Sequence, residues 1–532
     1  MAGPARASAS LNAARRTREL AAAAESGPVD LLVVGGGVTG AGVALDAASR
    51  GLSVVLAERH DLAYGTSRWS SKLVHGGLRY LARGEIGIAY ESAAERGLIM
   101  SNIAPHLTRP LPMLYPWTPD TGRGERALTG FGLAAADLLR YAAGTSRATL
   151  PGPRRLNRAE AMTVAPMLRR DVTGGMLTWD GQLTDDARLV VALARTAAAF
   201  GASVLTRCEA SSLTGDGAVL TDTLTGGSFQ LRARAVINAA GVWAGQLTDG
   251  VTLRPSRGTH LVLSAAAFGG LSAGLIAPVP GERSRFVFAV PVPGEPRVYV
   301  GLTDEPADGP LPEVPEPSQG EIDFLLAAAA RMLDAPVGPA DVLGAFAGLR
   351  PLLGQDGEPA GGRTADLSRR HAVLTSADGV ITVVGGKLTT YRRMAQDAVD
   401  AAVAASLDNG LCLPGRKDTL RPGPSRTRRL PLVGAAGPRA LAAVPAPARL
   451  VARYGTEAPA VLRLAEHHPE LAAPVALGIR VTGAELAFAV SHEGALDAGD
   501  LLDRRTRIGL VAADRQQALP AATRALEVRT SP

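Results

Sequence analysis

The sequence predicts an α/β fold in which a parallel sheet with crossover helices is joined to an antiparallel-sheet domain and closed by a C-terminal helical cap. Three observations predict it. Asp30 to Glu58 reads as strand, glycine turn, helix and strand, which is one βαβ unit. Leu253 to Gly301 breaks into short alternating runs such as THLVLS, RFVFAVPV and RVYVGLTD, the pattern of antiparallel strands. Residues 432 to 532 are helical in pattern, with turn signals near Gly483 and Asp497. At 532 residues the chain is too long for one core, because a domain averages about 150 residues.

The βαβ unit opens with the apolar run Leu31 to Val34 and breaks at Gly35, Gly36 and Gly37. Gly35, Gly37 and Gly40 form a GxGxxG pattern: the first permits a tight turn, the second lets a pyrophosphate reach the backbone, and the third lets helix and strand pack closely. The helix start, with Thr39 in its first turn, offers N–H groups and a positive dipole end to phosphate. Glu58 ends the second strand, placed to accept from a ribose hydroxyl pair. The stretch Glu58 to Glu85 reads as a loop under the bound dinucleotide followed by a helix, and Ile88 to Pro105 as a helix ended by Pro105. Leu128 to Gly144 is helical in pattern. Thr178 to Thr206 reads as a turn, a helix and a strand, with Asp185 and Asp186 as helix-start acids facing the dipole rather than catalysts.

A second strand-to-glycine junction, ARAVINAAGVWA, places Ala240 and Gly241 after a short buried strand. A proline-rich connector, Pro306 to Pro317, leads into a helix over Ile322 to Leu333. A third junction, at Gly379 to Val403, sets Gly385 and Gly386 between a strand and a long helix. Three such junctions favour FAD, which is contacted at both ends, over a nicotinamide cofactor that needs a single fingerprint. The first unit is therefore a Rossmann-type FAD-binding domain.

Composition narrows the function. Hydrophobic residues make up 46% and charged residues 20%, which is globular. The two cysteines, Cys208 and Cys412, give no disulfide framework and exclude a cysteine-based metal site, so no metal is expected and a reducing cytoplasm fits. No apolar run approaches the roughly 18 residues of a membrane span. The N-terminus has four arginines but no apolar core behind them, and reads as a disordered tail. A net charge of +6 suits an anionic substrate, an anionic lipid surface or nucleic acid. Nucleic acid is disfavoured, because 4% aromatic residues are not interleaved with the basic ones. Arginine is the default cation: there are three lysines, Lys72, Lys387 and Lys417, and two of them fall in the motifs below.

The words GGGVTGAG (Gly35 to Gly42), TSRWSSKLVHGGLRYL (Thr66 to Leu81), APHL (Ala104 to Leu107), DDARL (Asp185 to Leu189), INAAGVWA (Ile237 to Ala244), GTHLV (Gly258 to Val262), GLTD (Gly301 to Asp304), GLRPL (Gly348 to Leu352) and GGKLTTYR (Gly385 to Arg392) stand in one order. In that order the chain resembles the FAD-dependent glycerol-3-phosphate dehydrogenases, of D-amino-acid-oxidase-like fold. Ala484 to Leu510 resembles their C-terminal cap. The resemblance implies an FAD-dependent oxidoreductase domain with interleaved cofactor and substrate subdomains over 28–405 and a helical domain over 431–532, while composition makes 1–27 a disordered tail and 406–430, rich in Pro, Gly and charge, a linker. It implies oxidation of sn-glycerol 3-phosphate to dihydroxyacetone phosphate by hydride transfer to flavin, with electrons passed to a quinone. A glycerol-3-phosphate oxidase using oxygen and an amino-acid or amine oxidase of the same fold are the alternatives. The second is disfavoured, because such substrates need one arginine and this chain offers a set of cations.

Carried over by motif, His260, Arg350 and Lys387 are the catalytic candidates, His260 as the base that takes the hydroxyl proton. Arg79, Tyr80, Arg350, Arg369 and Lys387 are the substrate-binding candidates, because a phosphate dianion calls for bidentate cations. For FAD the candidates are Gly35, Gly36, Gly37, Thr39, Gly40, Glu58, Arg59, Thr66, Ser67, Ser71, Lys72, His75, Gly76, Gly77, Ala240, Gly241, Gly385, Gly386, Lys387, Leu388 and Thr389. Lys72 has a rival role, pinning its own loop through backbone carbonyls. His75 is placed near the flavin ring, and the FAD is expected to be non-covalent. The family's GTTD is GLTD here, so Leu302 removes a hydroxyl. The cluster Arg416, Lys417, Arg421, Arg426, Arg428 and Arg429 reads as a solvated linker, with anionic lipid as its alternative partner. Localisation is expected to be cytoplasmic, with peripheral contact at the inner face of the cell membrane, and the reading leaves room for a homodimer.

Overall fold

A computed structural model of the chain describes residues 7–77, 80–81, 84–119, 121–279, 286–335, 337–354, 370–408 and 422–527, with 406–408 as backbone alone. Two sheets face each other across a long cavity. The first has six strands in the order His371–Thr375, Ile381–Gly385, Val236–Asn238, Leu31–Val34, Val54–Glu58 and Ser203–Thr206. The five from Ile381–Gly385 to Ser203–Thr206 are parallel, and His371–Thr375 is antiparallel to its neighbour. Leu31, Leu32, Val33 and Val34 are all buried. Parallel strands covered by helices read as unbroken apolar runs for this reason, each buried side chain stabilising the fold by about 2 kcal/mol.

The helix Val38–Ser49 is buried on almost every side. It packs against Asp186–Ala199 and Tyr391–Asp408. Its small residues permit this. A Cβ at Gly42 would stand 2.9 Å from the Tyr391 ring, and one at Gly40 would stand 1.8 Å from the Gly35 carbonyl oxygen.

The second sheet has ten strands, and its strand Ser256–Ser264 lies antiparallel between Arg297–Gly301 and Val342–Arg350. In that register His260 is opposite Gly301 on one side and Phe346 on the other. A Cβ at Gly301 would be 2.3 Å from the His260 ring, so a glycine is needed beside it.

Several expectations need correcting. The N-terminal segment is no disordered tail over its described part. Ala13–Glu25 is a helix capped by the Asn12 side chain at 2.9 Å from the Arg15 amide. Its Arg16 is buried and pairs with Asp222, while Leu11 bridges to Glu493. A strongly polar helix packed on one face gives no apolar stripe long enough to read. The linker expected over 406–430 begins inside the helix Tyr391–Asp408, and residues 422–430 are ordered, with Thr427 buried and Ser425 bonded to Asp46. Ile88 to Pro105 is a helix over Ile86–Leu98 that widens into a π turn, Ile99–Ile103. A three-stranded sheet, Cys208–Thr214, Gly217–Asp222 and Ser228–Arg232, was not foreseen.

The C-terminal residues form mainly helices, among them Gly483–His492 and Ala512–Glu527, joined by one short hairpin. They are fastened to the first sheet by buried charge. Asp61, three residues past Glu58, accepts from Arg504 at 2.6 Å and from Arg505 at 2.8 Å, and these guanidinium groups more than offset the burial that would otherwise raise its pKa. Removing one partner of such a pair costs about 3–5 kcal/mol, because the other is left buried and unpaired. Among the described residues no helix is long and apolar enough to cross a membrane.

Candidate active site

The cavity between the sheets has a volume of about 1280 Å³. It runs from the first glycine turn, past Ala240 and Gly241, to a chamber walled by the second sheet. At its nucleotide end the backbone makes the site. Gly35 has φ +108°, a left-handed conformation, and a Cβ there would meet the Ala239 carbonyl oxygen at 2.7 Å. First-turn amides have no partner inside their own helix. That of Val38 is held by Ser67 Oγ at 2.9 Å. Glu58 accepts from the Gly36 amide at 2.6 Å and the His60 amide at 2.8 Å. Burial pushes its pKa up against those two donors. A cradle that admits no Cβ, a helix start and an acid at the strand tip fit the ribose and pyrophosphate of a dinucleotide.

Gly35, Gly37, Thr39, Glu58, Arg59, Thr66 and Ser67 all line this end. Gly36 and Gly40 stand behind the wall, and their part is to permit the turn and the helix packing. Arg59 reaches Glu313 at 3.0 Å. Thr66 donates to the Leu349 carbonyl at 2.6 Å, which ties the glycine-turn side to the second sheet. Further along lie Ala240, Gly241, His75, Gly76, Gly77, Gly385, Gly386, Leu388 and Thr389. His75 and Thr389 are joined through the His75 amide at 3.3 Å.

The other end is built from side chains. His260 is fully buried, stacked on Phe346 with ring centres 4.8 Å apart, and its Nε2 is 2.9 Å from Ser71 Oγ. Burial, and then the nearby charges of Lys72 and Arg350, hold its pKa well below 6.5 against the pull of Asp186. Its ring is therefore neutral near pH 7. Arg350 is oriented by Asp304 Oδ1 at 3.0 Å, Ser256 Oγ at 3.1 Å and the Thr303 carbonyl at 3.0 Å. Lys387 donates to Ser92 and stands 4.6 Å from the centre of the Tyr80 ring. His260, Arg350, Lys387, Tyr80 and Ser71 all line the cavity.

Arg79 and Arg369 lie outside the described residues. Lys72 was expected to touch the cofactor; it does not line the cavity. Its ammonium is buried against the Arg68 carbonyl at 3.2 Å, the Ser70 carbonyl at 2.9 Å and Asp186 at 3.2 Å. It pins the loop, the rival role, because two carbonyls of the loop and the Asp186 carboxylate converge on one point charge. Asp185 caps its helix as expected, accepting from the Ala187 amide at 2.9 Å, and Asp186 also accepts from that amide through Oδ1 at 3.0 Å while its Oδ2 meets Ser70 and Lys72.

The sequence reading missed Trp243, whose ring comes within 2.8 Å of a Cβ at Gly65, and the pair Arg96–Asp180, 2.7 Å apart in the cavity wall. Trp243 sits inside the quoted word INAAGVWA and was open to notice. Arg96 and Asp180 come from separate elements and carry no local signal.

Comparison with known proteins gives two family models in series. The FAD dependent oxidoreductase model matches residues 30–392, and the C-terminal domain of alpha-glycerophosphate oxidase matches residues 425–530. The chain is 54% identical to glycerol-3-phosphate dehydrogenase 1 of Mycobacterium tuberculosis over 97% of this chain and 98% of that one. It is 34% identical to the mitochondrial glycerol-3-phosphate dehydrogenase SDP6 of Arabidopsis thaliana, over 96% of this chain and 84% of that one. Among solved structures, the glycerol-3-phosphate dehydrogenase of Bacillus halodurans complexed with FAD superposes with a TM-score of 0.72 at 29% identity, covering 97% of this chain and 94% of that one.

Proposed function

The chain belongs to the FAD-dependent glycerol-3-phosphate dehydrogenases, and from that premise we propose that it oxidises sn-glycerol 3-phosphate to dihydroxyacetone phosphate at FAD and passes the electrons to a quinone. The observation that carries the reading is one cavity lined by a neutral, buried His260, by Arg350 beside it and by Lys387. A phosphate dianion takes two charge-assisted partners there, each worth about 1.5–3 kcal/mol. His260 accepts the C2 hydroxyl proton, since a neutral imidazole has a free lone pair to receive it. FAD, when bound, supplies the ring that takes the C2 hydrogen with its electron pair. Phe346 and the sheet behind it keep water from the imidazole, Ser71 holds its Nε2, and Tyr80 packs over Lys387. His75 lines the wall among residues expected to contact the flavin, and the cofactor is held there without a covalent bond; yellow colour remaining with acid-precipitated protein would contradict this.

The quinone reading has support at the surface. The helix Arg123–Ala142 lines the cavity with one face, on which Leu128 also lies, and presents Phe131, Leu138 and Tyr141 outward, each 68–76% exposed. Ile86 and Tyr90 of the adjoining helix extend that face. An apolar stripe of this kind beside a cavity suits the lipid surface in which a quinone is dissolved. It is a better peripheral contact than the basic segment: Arg426, Arg428 and Arg429 are exposed without such a stripe, and Arg416, Lys417 and Arg421 lie outside the described residues.

The test is steady-state turnover of the purified holoenzyme with sn-glycerol 3-phosphate, comparing a short-chain quinone with dissolved oxygen. Rapid turnover with the quinone and little peroxide supports the dehydrogenase; stoichiometric peroxide without a quinone would make it an oxidase. Phe131→Asp with Leu138→Asp should abolish co-sedimentation with anionic vesicles and leave turnover of the water-soluble quinone intact. Unchanged co-sedimentation would remove the lipid contact from this helix.

A further inference from the structure

The C-terminal region reaches His260 from two sides. Arg507, left-handed at φ +66° although not a glycine, sends its guanidinium into the interior. There it donates to the Arg68 carbonyl and, at 2.8 Å, to the Asp503 carbonyl. Its Nε lies 3.8 Å from both Asp185 and Asp186. Asp186 in turn accepts from the Ser70 amide at 2.9 Å and the Ser70 hydroxyl at 2.7 Å, and stands 3.2 Å from the Lys72 ammonium. Lys72 is itself left-handed, at φ +55°. Between Ser70 and Lys72 lies Ser71, whose hydroxyl meets His260 Nε2. On the other side Leu510 and Val511 pack in one cluster with Phe346, Tyr299 and Val262, the apolar shelf on which the imidazole is stacked.

We propose that Arg507 is a positioning residue for the reaction at His260: through Asp186 and Lys72 it holds the 68–72 loop in the conformation that brings Ser71 to the imidazole. Two non-glycine residues in left-handed backbone at the ends of one series of ion pairs and hydrogen bonds persist only where the surroundings over-determine them. The loop therefore relaxes when the guanidinium is removed, and Ser71 moves off His260. Other ion pairs fasten the same region without touching this loop, among them Arg195–Glu457 at 2.7 Å. The same attachment can thus be weakened with or without disturbing Ser71. Burial lowers the Lys72 pKa to about 8 against the pull of Asp186, so the ammonium depends on that carboxylate, and the carboxylate depends on Arg507.

The inference rests on the proposed glycerol 3-phosphate oxidation. The test compares holoenzymes of the parent, Arg507→Lys, Arg507→Met, Asp186→Asn and the control Arg195→Met. For each, FAD content, melting temperature, kcat and KM for glycerol 3-phosphate are measured, together with trypsin cleavage after Arg68 and Lys72. A displacement of about 1 Å at a catalytic group costs on the order of 100-fold. Arg507→Met and Asp186→Asn should therefore lose about that in kcat per bound flavin with little change in KM, and become cleavable at Arg68 or Lys72, while Arg507→Lys recovers part of both. Arg195→Met should melt earlier with kcat unchanged. Values of kcat within twofold of the parent in both Arg507→Met and Asp186→Asn would overturn the proposal, whatever their melting temperatures. Should Arg507→Met fail to fold, Asp186→Asn decides alone. A parent that does not turn over glycerol 3-phosphate refutes the substrate reading instead, and protection of the loop from trypsin still reports on Arg507.

Discussion

The two ends of the cavity are built in different ways. At the glycine-turn end the wall is made of backbone: a left-handed Gly35, a helix start and amides held in place by Glu58 and Ser67. At the His260 end each functional side chain is held by another drawn from a distant part of the chain. Arg350 is set by Asp304, Lys387 by Ser92, and His260 by Ser71 and Phe346. The difference teaches that binding and turnover are separable here. Damage at the first end should remove the flavin, and damage at the second should leave a yellow protein that reacts slowly.

The largest effect should come from Gly40→Val. Its Cβ would lie 1.8 Å from a backbone oxygen that cannot yield. A loss on the order of 4 kcal/mol or more follows, and purified protein should carry no flavin. Flavin content near the parent's would break the comparison at its first end. Arg350→Met should keep its FAD and lose about 100-fold in kcat/KM for glycerol 3-phosphate, the equivalent of one strong charge-assisted hydrogen bond. Loss of flavin from this variant would show that the two ends are not separable.

Acid should act with opposite signs at the two ends. His260 is held neutral in the folded chain, while in the unfolded chain its pKa is near 6.5. Below about pH 6.5 the unfolded state binds the extra proton, so this histidine costs stability as pH falls. His106, lowered to about 3 by burial and then Arg188, acts in the same direction. Glu58 is raised by burial, so its contribution favours the fold at low pH and is lost as pH rises from its ordinary value. His260→Gln should therefore remove about 1 kcal/mol of the stability loss between pH 6 and pH 5, read by denaturant unfolding of the apoprotein. An unchanged pH slope would contradict a neutral His260. The smallest effect should be that of Arg59→Ala, whose side chain is 55% exposed in its pair with Glu313. Less than about 0.5 kcal/mol in stability is expected.

The contrast between the ends also governs what could be read beforehand. The glycine turn, the strand before it and Glu58 lie within 30 consecutive residues, and local periodicity exposes them. The antiparallel region was legible from its alternating runs, and the helical region from its spacing. The braces were not, because Asp61 and Arg504 are 443 residues apart and no local pattern joins them. Lysine scarcity marked Lys72 and Lys387 as unusual, which both are. Scarcity carries no information on direction, and Lys72 faces its own loop rather than the cavity. The N-terminal helix was missed for a related reason: its anchors, among them Arg16 to Asp222 and Glu19 to the Val204 amide, are long-range polar contacts in an otherwise polar segment.

The most direct measurement of the central claim is an anaerobic spectrum of the purified yellow protein before and after addition of sn-glycerol 3-phosphate, then in separate samples glycerol and a panel of amino acids. The account predicts bleaching of the flavin band by glycerol 3-phosphate, and none by glycerol or by any amino acid. Bleaching by an amino acid without bleaching by glycerol 3-phosphate would contradict it, and equal bleaching by glycerol would show that Arg350 and Lys387 do not serve a phosphate.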